Sequence, residues 1–191
     1  MQVETHRQGH FHTLMMVLGI AAAYYVTGRL GLLLAIPPGY ATPVWLPSGI
    51  ALGAILIGGY RGWPGILLGS WQLNMAPSYE ATNGMALLKS VALPTSIGLG
   101  AAVQAVVGAY LVRRVVGFPN PLIRERDIGA FLGLGGPVSR LINATVGVTS
   151  LLIAGKIPWA AYLHNWWTWW IGDTKGSMPH RTPPPSGSER G

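Results

Sequence analysis

The sequence contains no cysteine and few charged residues. Without cysteine, the chain has neither a disulfide framework nor a thiolate metal site. Charged residues make up 10% of the 191 residues, against about 25% in soluble domains. The chain has six acidic residues and lacks a His-Glu-x-x-His element, a Gly-rich phosphate loop and a Gly-x-Ser-x-Gly motif. We therefore predict that it is not an enzyme, and we expect no catalytic residue, metal or cofactor.

The sequence is instead rich in apolar residues, glycine and proline. Half of the residues are hydrophobic, and there are 27 glycines and 15 prolines. Long runs of Leu, Ile, Val and Ala that contain Gly and Pro are typical of transmembrane helices. We predict an all-α integral membrane protein, a polytopic bundle of five or six spans. The net charge of +7 does not indicate nucleic-acid binding, because the basic residues are scattered between apolar runs.

The apolar runs predict where the spans lie. A span needs about 20 residues, and the long runs are residues 13–35, 85–112 and 128–154, with a marginal last segment at 157–172. Two shorter runs have Pro47 and Pro64 near their starts, where proline disturbs a helix least. They are compatible with two short spans or with a re-entrant hairpin. We favour two spans, because the hairpin would place Arg61 near the middle of the bilayer.

Glycine pairs at helical spacing recur along these runs, at Gly49/Gly53, Gly65/Gly69 and Gly129/Gly133 among others. Such pairs let helices approach closely. With so many glycines in the chain, the pairs indicate close packing in general and no specific contact.

The positive residues predict an orientation. With the N-terminus in the cytoplasm, six arginines fall on the cytoplasmic side: Arg7, Arg61, Arg113, Arg114, Arg124 and Arg126. The outer loops then hold Lys156 and, at the edge of a span, Lys89, which agrees with the positive-inside rule.

We predict a polar cytoplasmic tail over residues 1–12, a membrane domain over 13–176 and a disordered basic Pro/Ser-rich tail over 177–191. We interpret the histidines of the first segment as part of a mobile tail and not as a metal site: His6, His10 and His12.

Three ordered motifs resemble a bacterial family. They are Pro43-Val44-Trp45-Leu46-Pro47-Ser48-Gly49-Ile50-Ala51-Leu52, then Gly59-Tyr60-Arg61-Gly62-Trp63-Pro64-Gly65 with Leu68-Gly69-Ser70, and finally Trp169-Trp170-Ile171-Gly172-Asp173. Together they resemble the first class of membrane-associated sensor (MASE) domains. The resemblance implies a sensory module of the bacterial inner membrane, whose signal is an undefined small molecule or peptide. In that family the module usually precedes a histidine kinase, a diguanylate cyclase or a cyclic-di-GMP phosphodiesterase.

The sequence departs from the family pattern at its end. The family typically continues through further spans after the Gly-Asp element, and the residues from Lys175 onward are unlike them. We therefore expect a truncated or frameshifted reading of a longer gene, with a stand-alone short form as the alternative. The expected partners are the lipid bilayer and a cytoplasmic signalling enzyme or another membrane protein.

Asp173 is the first candidate for a signal-sensing residue. Acidic residues on apolar membrane segments usually face the interior of the bundle and are paired. The depths estimated along the two spans are similar, so we predict a pair between Arg140 and Asp173. The alternative is that Asp173 ends a helix at the lipid headgroups, beside Lys175.

The further candidates for signal sensing are tryptophans and a proline. Trp169 and Trp170 predict either an interfacial tryptophan belt or an aromatic ligand surface. Trp45 and Pro47 lie at the outer entrance of a short span, where proline starts the helix or exposes carbonyl groups. Structural and topological roles are predicted for the remaining polar and interfacial residues: a cytoplasmic turn for Arg61 and Trp63, and interhelical hydrogen bonds for Gln72, Asn74 and Asn143.

Two other classes of protein remain open at this stage. A transporter fragment would use short broken helices and polar residues inside the membrane. A structural subunit of a membrane assembly would need no ligand. Inverted repeats would favour the transporter, and the sequence shows none.

Overall fold

The computed structural model describes residues 2–33, 44–79, 82–121 and 123–176, with side chains from His10 onward. In these ranges the chain forms helices and no strand, so the predicted all-α class is confirmed there. The α-helices are α1 (Gln2–Leu32), α2 (Leu46–Gly58), α3 (Trp63–Ser78), α4 (Gly84–Val115), α5 (Glu125–Gly133), α6 (Ser139–Ile153) and α7 (Tyr162–Gly176). Short 3-10 turns occur at Tyr60–Gly62 and Trp159–Ala161, and a π-helical turn occurs at Leu134–Val138.

Two of the described helices are long and apolar enough to cross a membrane. They are α1, over His10–Leu32, and α4, while α2 is a shorter apolar helix. Helix α1 begins at Gln2, so it includes almost all of the segment predicted as a polar tail. His10 and His12 are exposed on it, whereas the side chain of His6 and the predicted tail at 177–191 lie outside the described part.

The two prolines predicted to start short helices lie where expected. Pro47 and Pro64 are in the first turns of α2 and α3, where a missing N–H leaves no helical hydrogen bond unmade. Between these helices, Gly59 has a φ of 82°, a left-handed conformation that favours glycine. Arg61 and Trp63 are exposed at this connection.

The predicted continuous span at 128–154 is wrong in one respect, because the helix is interrupted. Gly136 has φ −97° and ψ −107° inside the π-helical turn, next to Pro137. The Ser139 hydroxyl donates to the carbonyl oxygens of Gly135 and Gly136 at 3.1 and 3.3 Å, which satisfies groups left by the interruption. A Gly-Gly-Pro sequence removes one donor and weakens the local helix, and this explains the break.

The helices pack so that one face of α2 is buried, while Leu46 and Ile57 on its other face are exposed. Helix α3 packs against both α1 and α4, α4 packs against α6, and α6 packs against α7. Helix α2 contacts α1, α4 and α7. Its buried side chains, Leu52, Ile55 and Leu56 among them, join the main apolar core. The buried side of the first turn, at Pro47 and Ser48, therefore faces other helices, and the candidate site is built there.

Candidate functional site

A buried polar cluster joins three helices. Ser48 of α2, Arg140 and Asn143 of α6, and Asp173 of α7 have exposed fractions of 0%, 0%, 2% and 0%. We call these four residues the polar cluster. Removing charged and amide groups from water costs several kcal/mol unless they bind one another, so their contacts decide whether this arrangement is stable.

The members of the polar cluster are linked by hydrogen bonds between helices. The Asn143 amide Nδ2 donates to Asp173 Oδ2 at 3.0 Å. The Ser48 hydroxyl donates to the main-chain oxygen of Asp173 at 2.8 Å. Arg140 Nη2 donates to the main-chain oxygen of Ser48 at 3.1 Å. The charges of Arg140 and Asp173 are also close enough to interact with each other.

Local sequence places these groups together. Arg140 and Asn143 are three residues apart on α6, so they lie on the same helix face. The backbone N–H of Trp45, just before α2, donates to the Gly172 oxygen at 2.8 Å, and this joins the start of α2 to the last turns of α7. Ser48 is in the first turn of α2, so its side chain and carbonyl face the same junction.

A cavity of about 150 Å³ extends from the polar cluster to one end of the bundle. Asn143, Gly172 and Asp173 line its inner part, together with Tyr24 and Ser70. Its sides are largely apolar, and the residues at the opposite end come from the ends of α1, α3 and α6 and from the following loop: Leu32, Pro77, Ser78, Leu151 and Lys156. The cavity thus connects an exposed lysine with a buried carboxylate.

A family model, MASE1, matches residues 16–178, most of the chain. The chain belongs to the MASE1 family. This family consists of membrane-associated sensor domains, so the resemblance carried by the three motifs is confirmed. Comparisons with curated proteins and with solved structures gave no significant match.

The structure brings the two charged residues predicted as a pair into one place in the MASE1 domain. Arg140 and Asp173 both belong to the polar cluster and both contact Ser48. Asp173 lies in the last described turn of α7 and is buried, while Lys175 beside it is exposed, so its placement at the headgroups stays an alternative prediction. Helix α7 continues to Gly176, beyond both residues.

The aromatic and proline candidates lie around the same junction. Trp45 and Trp169 line the cavity, and Pro47 is fully buried in the first turn of α2. Trp170 faces the helix interruption, where its indole Nε1 donates to the Pro137 oxygen at 2.9 Å. Trp167, by contrast, is 54% exposed. The tryptophans of α7 therefore have different surroundings, and their role as an interfacial belt or as a ligand surface stays a prediction.

The predicted interhelical hydrogen bonds have three different outcomes. Asn143 makes one, to Asp173. Asn74 donates instead to the Ser70 oxygen of its own helix at 2.8 Å, although its side chain lines the cavity. Gln72 is exposed, so its predicted position between helices is wrong. In α3 the buried face is formed by Gly65, Ile66, Gly69, Ser70 and Leu73, and position 72 lies away from that face.

Sequence reasoning missed three polar residues near the site. Tyr24 of α1 is 2% exposed and lines the cavity together with Trp45 and Ser70. Ser70, which belongs to the second family motif, is 1% exposed. Gln104 of α4 is 1% exposed, and its Oε1 accepts no hydrogen bond in the described structure. An uncharged polar side chain in an apolar run is a weak signal, because its burial depends on the helix face.

Proposed function

We propose that this MASE1 chain is a multi-pass sensory input domain of the bacterial inner membrane, with its N-terminus in the cytoplasm. Six spans would be formed by α1, α2, α3, α4, α6 and α7, with the short α2 packed against α1, α4 and α7. The distribution of arginine supports the orientation. In this orientation the Lys156 end of the cavity opens on the outer side, and Arg61 and Arg113 lie on the cytoplasmic side.

The polar cluster at the inner end of the cavity is the observation that supports sensing best. It links α2, α6 and α7 directly below a space that opens toward one face. A ligand shifts an equilibrium only when it binds one helix arrangement better than another. A ligand in this cavity would contact Trp45 and Trp169, which belong to opposite sides of the α2–α7 junction. Its binding would favour one position of α2 over another.

The receiver of this change would be a cytoplasmic signalling enzyme or a membrane protein partner. Family members usually precede a histidine kinase, a diguanylate cyclase or a cyclic-di-GMP phosphodiesterase, as the resemblance implies. A two-component or cyclic-di-GMP pathway is therefore the proposed context.

The orientation is tested by cysteine labelling, for which a cysteine-free chain is well suited. The variants Lys156→Cys and Arg61→Cys each introduce one exposed thiol at opposite ends of the bundle. A membrane-impermeant maleimide added to intact spheroplasts should label Lys156→Cys, and it should label Arg61→Cys only after lysis. The reverse pattern would refute the orientation, and labelling of both from one side would refute the six-span arrangement.

The sensory role is tested by joining the full chain to a diguanylate cyclase domain and measuring cyclic-di-GMP in cells. Asp173→Asn keeps the shape of the side chain but removes its charge, so the output should change at equal protein abundance. Lys175→Gln is the matched control, because Lys175 is exposed two residues away on the same helix. Equal outputs from both variants and the parent would count against the polar cluster as part of the sensor.

A further inference from the structure

The cavity beside the polar cluster adjoins a second depression at its exposed end. The inner cavity is about 150 Å³ and the outer depression about 290 Å³. Ser78, Leu93 and Lys156 line both of them. One molecule can therefore occupy the inner cavity with one part and the outer depression with another.

The inner cavity fits a small apolar group. Its sides are formed mainly by Leu73, Leu93, Ile97 and Leu151, together with the indole rings of Trp45 and Trp169. An apolar cavity of about 150 Å³ can bind a molecule of the size of benzene. A phospholipid with two acyl chains is much larger than this space.

The charges of the two parts differ. At the inner end the lining includes Asp173, whose charge interacts with the opposite charge of Arg140. The outer depression contains Lys89 and Lys156, which are both exposed. Among the described residues, no acidic side chain lines the outer depression. The described residues of the outer depression thus carry two positive charges, whereas the sides of the inner cavity are largely apolar.

We propose that the two parts form one binding site for a small organic acid with an apolar body of about the size of a benzene ring. The apolar body occupies the inner cavity, and the carboxylate lies between Lys89 and Lys156. This inference rests on the proposed sensory function, because it names the chemical class of the signal. It does not depend on which effector receives that signal.

The test uses the full chain, purified and reconstituted in phosphatidylcholine vesicles, with benzoate as the probe. Binding is measured by isothermal titration calorimetry. We expect saturable binding of benzoate, and roughly tenfold weaker binding of benzyl alcohol, which has the same ring and no charge. The affinity for benzoate should fall as salt rises, since the lysines are exposed.

Variants separate the two parts of the site. The double variant Lys89→Gln/Lys156→Gln should bind benzoate roughly tenfold more weakly while its affinity for benzyl alcohol stays the same. Arg61→Gln removes an exposed positive charge at the other end of the bundle and should change neither affinity. Leu93→Trp fills the junction of the two parts and should abolish binding of both probes.

Three results would overturn the proposal. One is the absence of saturable benzoate binding to the parent protein. Another is equal affinity for benzoate and benzyl alcohol. The third is competition between benzoate and phosphatidylglycerol added to the vesicles, because that would assign the positive depression to a lipid headgroup. If benzoate does not bind but Asp173→Asn still changes the output of the cyclase fusion, the ligand class is wrong and the sensory function stands.

Discussion

Removing one member of the buried Arg140–Asp173 pair should destabilise the bundle more than removing both. Both side chains are 0% exposed, so Asp173→Leu leaves a buried guanidinium without the carboxylate, and Arg140→Met leaves a buried carboxylate without the guanidinium. Each single variant is expected to lower the free energy of unfolding by about 3–5 kcal/mol.

The double variant removes both charges together. It loses the hydrogen bonds from Arg140 to Ser48 and from Asn143 to Asp173, each contributing about 1.5–3 kcal/mol. Part of this loss is offset, because folding of the double variant no longer removes a guanidinium and a carboxylate from water. This effect contributes about 1–4 kcal/mol. We expect a net loss of about 2 kcal/mol, against about 6–10 kcal/mol if the single effects were additive.

The assay is unfolding of the detergent-solubilised protein in increasing dodecyl sulfate, followed by circular dichroism of the helices. Lys175→Met is the control, because it removes an exposed charge from the same helix. It should change stability by less than about 1 kcal/mol. Additive losses in the double variant would refute the reasoning, since they would mean that the two residues do not interact. The double variant should retain the fold and lose the signalling response, because the polar cluster is no longer present.

Two other predictions each compare one substitution at a position that makes a close contact with another helix with the same substitution at a position that makes no such contact. A Cβ at Gly69 would lie 2.7 Å from the Ala21 oxygen, whereas a Cβ at Gly53 meets nothing within 4 Å. Gly69→Ala should therefore lower the free energy of unfolding by about 1–3 kcal/mol, and Gly53→Ala should raise it by about 0.5–1 kcal/mol. Similar effects of the two substitutions in the same unfolding assay would contradict this prediction. Arg113 donates to the Ile55 and Leu56 oxygens at 3.2 and 2.8 Å, at the end of α2, while Arg114 is exposed. Arg113→Met should cost about 1.5–3 kcal/mol and Arg114→Met less than about 0.5 kcal/mol, and equal melting temperatures would show that the bonds to α2 contribute nothing.

The glycine pairs show what sequence alone could predict and what it could not. Gly65/Gly69, Gly49/Gly53 and Gly129/Gly133 have the same spacing, and each predicts close approach of helices. In the structure, Gly65 and Gly69 lie against the backbone of α1, while Gly53, Gly129 and Gly133 have nothing within 4 Å of a Cβ. The spacing is a property of one helix, but the contact depends on which face meets a neighbour. Sequence spacing therefore could not select the pair that packs.

The same distinction applies to the candidate site. The cost of a charge in lipid predicts that Arg140 and Asp173 face the interior of the bundle, and their similar depths along two spans predict that they are neighbours. Ser48, Ser70 and Tyr24 could not, because each is stable either on the surface or inside. The interruption near Gly136 was also missed, although Gly135-Gly136-Pro137 is a known combination of helix-weakening residues. The apolar pattern continues across it and conceals the break.

Helix α2 is the element best placed to connect the two ends of this domain. Its first turn belongs to the polar cluster through Ser48, and the carbonyls of its last turn accept hydrogen bonds from Arg113. The Arg113 guanidinium also lies over the rings of Tyr60 and Phe118, at 5.2 and 5.8 Å. A helix of 13 residues is about 20 Å long and is packed in a core of low compressibility. A displacement of its first turn by a ligand would therefore also move its last turn, and this would disturb the contacts of Arg113 at the other end of the bundle.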